Sequence, residues 1–148
     1  RGDIKDMAEG EAADIDALII PGGFGVTKNL CDYAMAGIEC SINPDVYRLV
    51  SEIIISEKPI GAICIAPALM AKILSEQDRS ANLTIGHDDQ TSKDIKGMGS
   101  NHFDCNVEDI LVDEENKIVT TPAYMDAKSI KDAAGGIEKL IDKIISMI

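Results

Sequence analysis

Apolar residues fall in short runs along this chain, and most runs stop at a turn signal. The first is residues 16–20 (D-A-L-I-I), closed by Pro21-Gly22-Gly23. A short apolar run ended by Pro and Gly reads as a buried strand followed by a tight turn. Residues 24–37 are rich in turn formers, with a helix expected around 29–35. Asn43 then precedes Pro44, the pairing of a helix N-cap with a proline in the first turn. Val46, Leu49, Val50, Ile53 and Ile54 follow at helical spacing, up to Lys58-Pro59. Residues 60–64 (I-G-A-I-C) form a second apolar run, read as a second buried strand. A helix is expected over 66–74, because Pro67 is tolerated in a first turn.

The second half is more polar. Residues 83–86 read as a short strand. Residues 91–98 read as a short helix with Gly99 as its C-cap. Residues 110–112 and 117–121 read as two strands around the turn 113–116, a small β-hairpin. The pattern from 126 to 148 is a long amphipathic helix, with a break expected near Gly135-Gly136 because glycine weakens helix interiors. Residues 1–14 are polar and acidic, a loop or short helical lead-in. Strands alternating with helices give an α/β layered fold with a mostly parallel sheet. No repeat or low-complexity linker interrupts it, so residues 1–148 read as a single α/β domain.

Composition sharpens this picture. Of 148 residues 45% are apolar but only 3% are aromatic, and Trp is absent, so the core must be aliphatic. Such a core suits parallel strands buried on both faces. The formal net charge is -12. A surface of that sign repels phosphates and anionic headgroups, so no nucleic acid and no membrane partner is expected. No apolar run reaches membrane-spanning length and no signal peptide is visible. The four cysteines (31, 40, 64 and 105) show no zinc spacing. The chain is large enough to fold without staples, so they are expected to be reduced thiols in the cytoplasm. No metal and no cofactor is expected.

Two turns carry candidate chemistry. In Ala62-Ile63-Cys64-Ile65-Ala66-Pro67 a strand delivers Cys64 and a helix follows almost at once. That places the thiol at the carboxyl end of the sheet, against a helix N-terminus that favours negative charge on sulfur. The alternative reading is a small buried hydrophobe, common for free cysteine. The other turn is Pro21-Gly22-Gly23-Phe24-Gly25, where paired glycines bring backbone N–H groups close to a ligand. If the strands are parallel, both turns face one crevice. The amides of Gly23 and Ile65 could then converge on an oxygen held against Cys64. Gly22, Phe24 and Asn29 are candidates for the surrounding substrate pocket. His87 lies in a polar turn and reads as exposed. His102 is three residues from Cys105 on an irregular segment, where a dyad is disfavoured. Neither histidine can be assigned a role. Asp88, Asp89, Asp113, Glu114 and Glu115 read as solvated turn charges.

The stretches A-L-I-I-P-G-G-F-G at 17–25, K-N-L at 28–30 and G-A-I-C-I-A-P-A-L at 61–69 resemble the PfpI/ThiJ superfamily of class I glutamine-amidotransferase-like folds. Within it the chain is similar to the ElbB group, associated with isoprenoid biosynthesis and glyoxalase activity. L-T-I-G at 83–86, D-E-E-N-K-I-V-T-T-P-A-Y at 113–124 and G-I-E-K-L at 136–140 extend the likeness end to end. The resemblance implies a flavodoxin-like three-layer sandwich with Cys64 as nucleophile and an oxyanion pocket falling on Gly23 and Ile65. Many relatives have His after the Cys, where this chain has Ile65, which argues against a protease or amidotransferase triad. The resemblance also implies an opening strand–helix unit with an acidic residue, which would precede Arg1, so the domain is expected to lack that unit and its general acid/base. The activity implied is a cofactor-independent, glutathione-independent glyoxalase (a lyase) acting on a small aldehyde. The rival is a redox-sensing or regulatory module that uses Cys64 oxidation. A homodimer is compatible with the chain.

Overall fold

The strand β2 (Ile60–Ile63) is buried at all four positions, so it needs a hydrogen-bonded neighbour on each side and a helix on each face. It has all of these. The structure is a computed structural model describing residues 4–148. In it β1 (Leu18–Ile20) pairs parallel to one edge of β2, with Leu18 opposite Ile60. On the other edge β6 (Ile118–Thr121) runs parallel, with Ile60 opposite Ile118 and Ile63 opposite Thr121. The hairpin strand β5 (Leu111–Asp113) closes the sheet antiparallel to β6, giving the order β1-β2-β6-β5. Three parallel strands therefore end on one side, at Ile20, Ile63 and Thr121.

The described residues form five α-helices: α1 (Tyr33–Ala36), α2 (Pro44–Ile55), α3 (Ala66–Ser75), α4 (Asp89–Gly97) and α5 (Ile130–Met147). The core on one face joins Val50 and Ile53 of α2 with Leu69, Met70 and Ile73 of α3. The core on the other face joins Ile63 and Val119 with Leu140 and Ile144 of α5. This is the α/β three-layer arrangement with a mostly parallel sheet. Each fully buried Leu or Ile contributes about 1.5–3 kcal/mol to holding the layers together. Asn43 caps α2 as expected, its side chain accepting from the amides of Asp45 and Val46.

Several expectations change. The helix expected at 29–35 is a π-helical turn, Val26–Leu30, followed separately by α1. Between them Cys31 bridges to Ile42 and is buried. The last helix starts at Ile130, capped by Ser129, and runs unbroken through Gly135-Gly136. Of the lead-in over 1–14, residues 1–3 lie outside the described residues, and the rest includes two 3-10 turns, Met7–Glu9 and Ala12–Asp14. Asp113 is not a solvated turn charge. It is buried and accepts from the amides of Asn82 (2.7 Å) and Asn116 (2.9 Å), tying the hairpin to β3 (Asn82–Leu83). Asp88 caps α4 by accepting from the Thr91 amide at 2.8 Å.

The short strand expected at 83–86 is β3, shorter and one residue earlier, and it pairs parallel with β4 (Asn101–His102), which the sequence did not signal and which explains His102. Its side chain is buried, and Nε2 accepts from the Ile85 amide at 3.2 Å. That bond requires a neutral ring. Burial pushes His102 below the ordinary histidine range, so the unfolded chain binds this proton more readily than the folded one. The stability it supplies is complete above the unfolded value of about 6.5 and is lost as pH falls. We expect the melting temperature to fall from pH 7.5 to 5.5, and His102→Gln, which keeps an acceptor, to flatten part of that fall. A variant with the same pH slope as the parent would show that His102 does not contribute.

Candidate active site

Ile63 is the last residue of β2 and α3 begins at Ala66, so two residues make the whole turn. Cys64 takes a φ of 61°, a left-handed conformation that costs a non-glycine residue about 1–3 kcal/mol. The neighbours hold it there. The Cys64 amide donates to the Thr121 carbonyl at 3.0 Å, fixing the turn to the end of β6. Behind it, Ile65 has returned to a right-handed conformation and its carbonyl accepts from Ala68 at 3.0 Å, starting the helix. The sulfur-bearing side chain is half-buried.

The glycine turn after β1 lies directly on this elbow. Gly22 has φ +84°, and a Cβ there would sit 2.5 Å from the Ile63 carbonyl oxygen and 2.8 Å from Cys64 Cβ. Only a residue without a side chain allows that approach. Gly23 differs: it also has positive φ, +88°, but a Cβ there would meet nothing within 4 Å. Among the described residues neither the Gly23 nor the Ile65 amide has a hydrogen-bond acceptor. Phe24 is exposed, and Asn29 sits on the exposed side of the π-helical turn with its amide near Gly25. No hydrogen bond joins either of them to Cys64 among the described residues.

The other three cysteines share one feature. Burial pushes up the thiols of Cys31, Cys40 (to about 11) and Cys105, where the Asp109 carboxylate adds to the effect. All four are free, and no group of side chains suited to a metal occurs among the described residues.

His87 is exposed, as expected, but it is not alone. Its Nδ1 lies 2.7 Å from Asp126 Oδ2, and its backbone amide donates to Asp126 Oδ1 at 3.4 Å. The Asp126 hydrogen bond and charge raise the imidazole above the ordinary histidine range. The pair opens on a cleft of about 530 Å³ lined also by Asn106, Val107, Glu108 and Asp109. Sequence reading missed Asp126 because the partners are far apart in the chain and share no motif.

No family model matches the chain. A human protein named glutamine amidotransferase-like class 1 domain-containing protein 3, mitochondrial, is 38% identical over 156 aligned positions, covering 99% of this chain and 57% of the human protein. The crystal structure of an isoprenoid biosynthesis protein with an amidotransferase-like domain from Ehrlichia chaffeensis superposes with a TM-score of 0.85 at 31% identity, covering 97% of this chain and 64% of that one. The chain's relatives are thus glutamine amidotransferase-like class 1 domain proteins, and its structural neighbours include an isoprenoid biosynthesis protein with an amidotransferase-like domain. It spans little more than half the length of the human relative. Drosophila melanogaster DJ-1beta shares the fold, with a TM-score of 0.53 at 19% identity over 92% of this chain. The elbow at Cys64 and the glycine turn against it thus sit in an amidotransferase-like, DJ-1-like sandwich. No helix among the described residues is long and apolar enough to cross a membrane.

Proposed function

We propose that this chain carries the nucleophile of a cofactor-independent glyoxalase-type enzyme, converting glyoxal or a related 2-oxoaldehyde to a 2-hydroxy acid. The observation that carries the reading is the strained φ of Cys64 between β2 and α3, the turn that lifts a nucleophile clear of a sheet. The Cys64 sulfur adds to one aldehyde carbon, and the oxyanion formed is received by the unengaged amides of Gly23 and Ile65. The hydrogen on the sulfur-bearing carbon then moves to the neighbouring carbon as a proton. This leaves a 2-hydroxy thioester of Cys64. Water cleaves it to the acid and restores the thiol. The sum is dialdehyde plus water to hydroxy acid, an internal redox change that needs no outside oxidant or reductant. The free thiols fit a reducing compartment, the cytoplasm or the mitochondrial matrix; the human relative carries "mitochondrial" in its name.

The test is glyoxal loss and glycolate formation by the protein at its native length, beside Cys64→Ser. We expect the serine variant to lose turnover with its melt nearly unchanged. Limiting iodoacetamide should label Cys64 ahead of Cys31, Cys40 and Cys105, whose thiols burial holds protonated. Labelling once per chain with no product would instead favour a redox-sensing role for the half-buried sulfur.

A further inference from the structure

The two cysteines at the ends of residues 31–40 have no part in the elbow chemistry. Both are buried, Cys31 5% and Cys40 2% exposed, yet none of residues 32–39 between them is buried. Two strips of extended backbone bring these ends together. Cys31 bridges antiparallel to Ile42. The Asp32 amide donates to the Ser41 carbonyl at 3.2 Å, and the Ser41 amide donates back to Asp32 Oδ1 at 2.6 Å. The Asn43 amide donates to the Leu30 carbonyl at 2.9 Å. Cys31 and Cys40 are themselves extended. Residues two apart in extended backbone share a face, so Cys40 sits on the side of Ile42, diagonal to Cys31.

The two thiols are hydrogen-bonding neighbours. Diagonal partners in an antiparallel pair stand about 7–8 Å apart, just beyond the ~4.4–6.8 Å between Cα atoms that a disulfide spans. A small inward shift of one strip closes that gap. The segment between the cysteines allows it: α1 and the 3-10 turn Gly37–Glu39 bury no side chain. Local opening of such a segment costs little and admits a small oxidant. Burial pushes both thiols up, Cys40 to about 11, so the pair rests as thiols until an oxidant arrives. The Lys72 ammonium, which donates to the Ile38 carbonyl at 3.3 Å, works the other way and favours a thiolate at Cys40.

We propose that Cys31 and Cys40 form a reversible thiol–disulfide pair, a modification site separate from Cys64, with a hydroperoxide as the oxidant. One thiolate attacks the peroxide: an S–O bond forms, the O–O bond breaks, and the leaving oxygen takes a proton and departs as water or an alcohol. The second sulfur attacks that sulfenic acid: the S–S bond forms, the S–O bond breaks, and the thiol proton leaves with the hydroxyl as water. Two thiols lose two electrons and the peroxide gains them. A dithiol reverses the step by exchange. Reduced Cys31 donates from Sγ to the Val26 carbonyl at 3.4 Å. The disulfide has no such proton, which leaves that carbonyl to the Cys31 amide at 3.2 Å. The change falls at the end of the π-helical turn whose first amide, that of Val26, donates to the Gly23 carbonyl at 3.0 Å.

Trypsin leaves both cysteines in one peptide, residues 29–48, and cleavage after Glu39 separates them. The experiment exposes the folded native-length protein and its Cys64→Ser variant to hydrogen peroxide. Remaining thiols are then blocked with iodoacetamide in denaturant, and the protein is digested and weighed by mass spectrometry. We expect peptide 29–48 to appear unalkylated and lighter by two hydrogens. Its halves should stay joined after cleavage at Glu39 until dithiothreitol is added. The yield should be the same in Cys64→Ser, whatever chemistry Cys64 performs. Cys31→Ser and Cys40→Ser should each abolish the linkage and leave the remaining cysteine open to alkylation. A peptide 29–48 still carrying two alkylated cysteines, at a peroxide dose that oxidises Cys64, would overturn the proposal. So would Cys31 or Cys40 joined to Cys64 or Cys105, or ended as a sulfinic acid, in place of the pair. No turnover is measured, so failure of this pair leaves the glyoxalase reading standing, and failure of that reading leaves the pair standing.

Discussion

Gly22→Ala is expected to lower the melting temperature more than any other single-methyl change on the glycine turn, and to disable Cys64 with it. The new Cβ would stand 2.5 Å from the Ile63 carbonyl and 2.8 Å from Cys64 Cβ, at a φ of +84°. Left-handed strain costs about 1–2 kcal/mol, and forcing a methyl into filled space about 1–3 more. A total near 3 kcal/mol corresponds to roughly 6–12 °C for a chain of this size. The displaced neighbour is the elbow itself, so iodoacetamide labelling of Cys64 should change too. Gly23→Ala is the contrast. It has the same φ cost but empty space around the added methyl, so its loss should be near 1–2 kcal/mol. That cost also means that any Gly23 substitution mixes stability with activity, and a rate measured on it must be read beside its melt. Equal melts for the two alanine variants would show that the close contact at Gly22 is not real.

The second large effect is expected at Gly136, in the middle of α5. Alanine is the better helix former by about 1 kcal/mol, and in an isolated helix the change would stabilise. Here a Cβ would collide with Thr121 Oγ1 and lie 2.5 Å from the Val107 carbonyl. It would also disturb the bond from Thr121 Oγ1 to the Asp109 carbonyl, 2.8 Å long. We expect a net loss of about 2–4 kcal/mol, from overpacking and the lost hydrogen bond together. Thr121 also receives the Cys64 amide, so activity should fall further than stability alone explains. At Gly135 the same methyl would lie 3.6 Å from Glu108 Cβ, an ordinary contact. Gly135→Ala should therefore stabilise. Adjacent glycines with effects of opposite sign on the melt are the expected result, and two effects of the same sign would count against this packing of α5 on β6.

Those glycines show what a sequence hides. Gly135-Gly136 suggested a helix break because local propensity is all that a single stretch displays. The reason for Gly136 is a carbonyl of Val107 and a hydroxyl of Thr121, placed there by the fold. Features set by neighbours in the chain were legible: Asn43 before Pro44, the buried run ending at Ile63, the hairpin ending at Thr121, and the Cys64 turn between strand and helix. Features set by distant partners were not. Nothing beside His102 announces that it accepts from Ile85, and nothing beside His87 announces Asp126. Asp113 looked like one more turn acid because its partner Asn82 lies on another strand. The site was legible as two turns, and the contact of Gly22 with Cys64 needed coordinates.

The pairing order of the sheet also sets when the turn at Cys64 can form. β2 lies between β1, made before it, and β6, made long after. Non-local pairings of this kind form late and slowly. During synthesis Cys64 emerges without its Thr121 partner, and no left-handed turn is imposed on it. Until the hairpin docks, Cys64 ends a strand that only β1 can pair with. The left-handed turn at Cys64 is therefore completed only when β6, the strand made last of the three, has docked against β2.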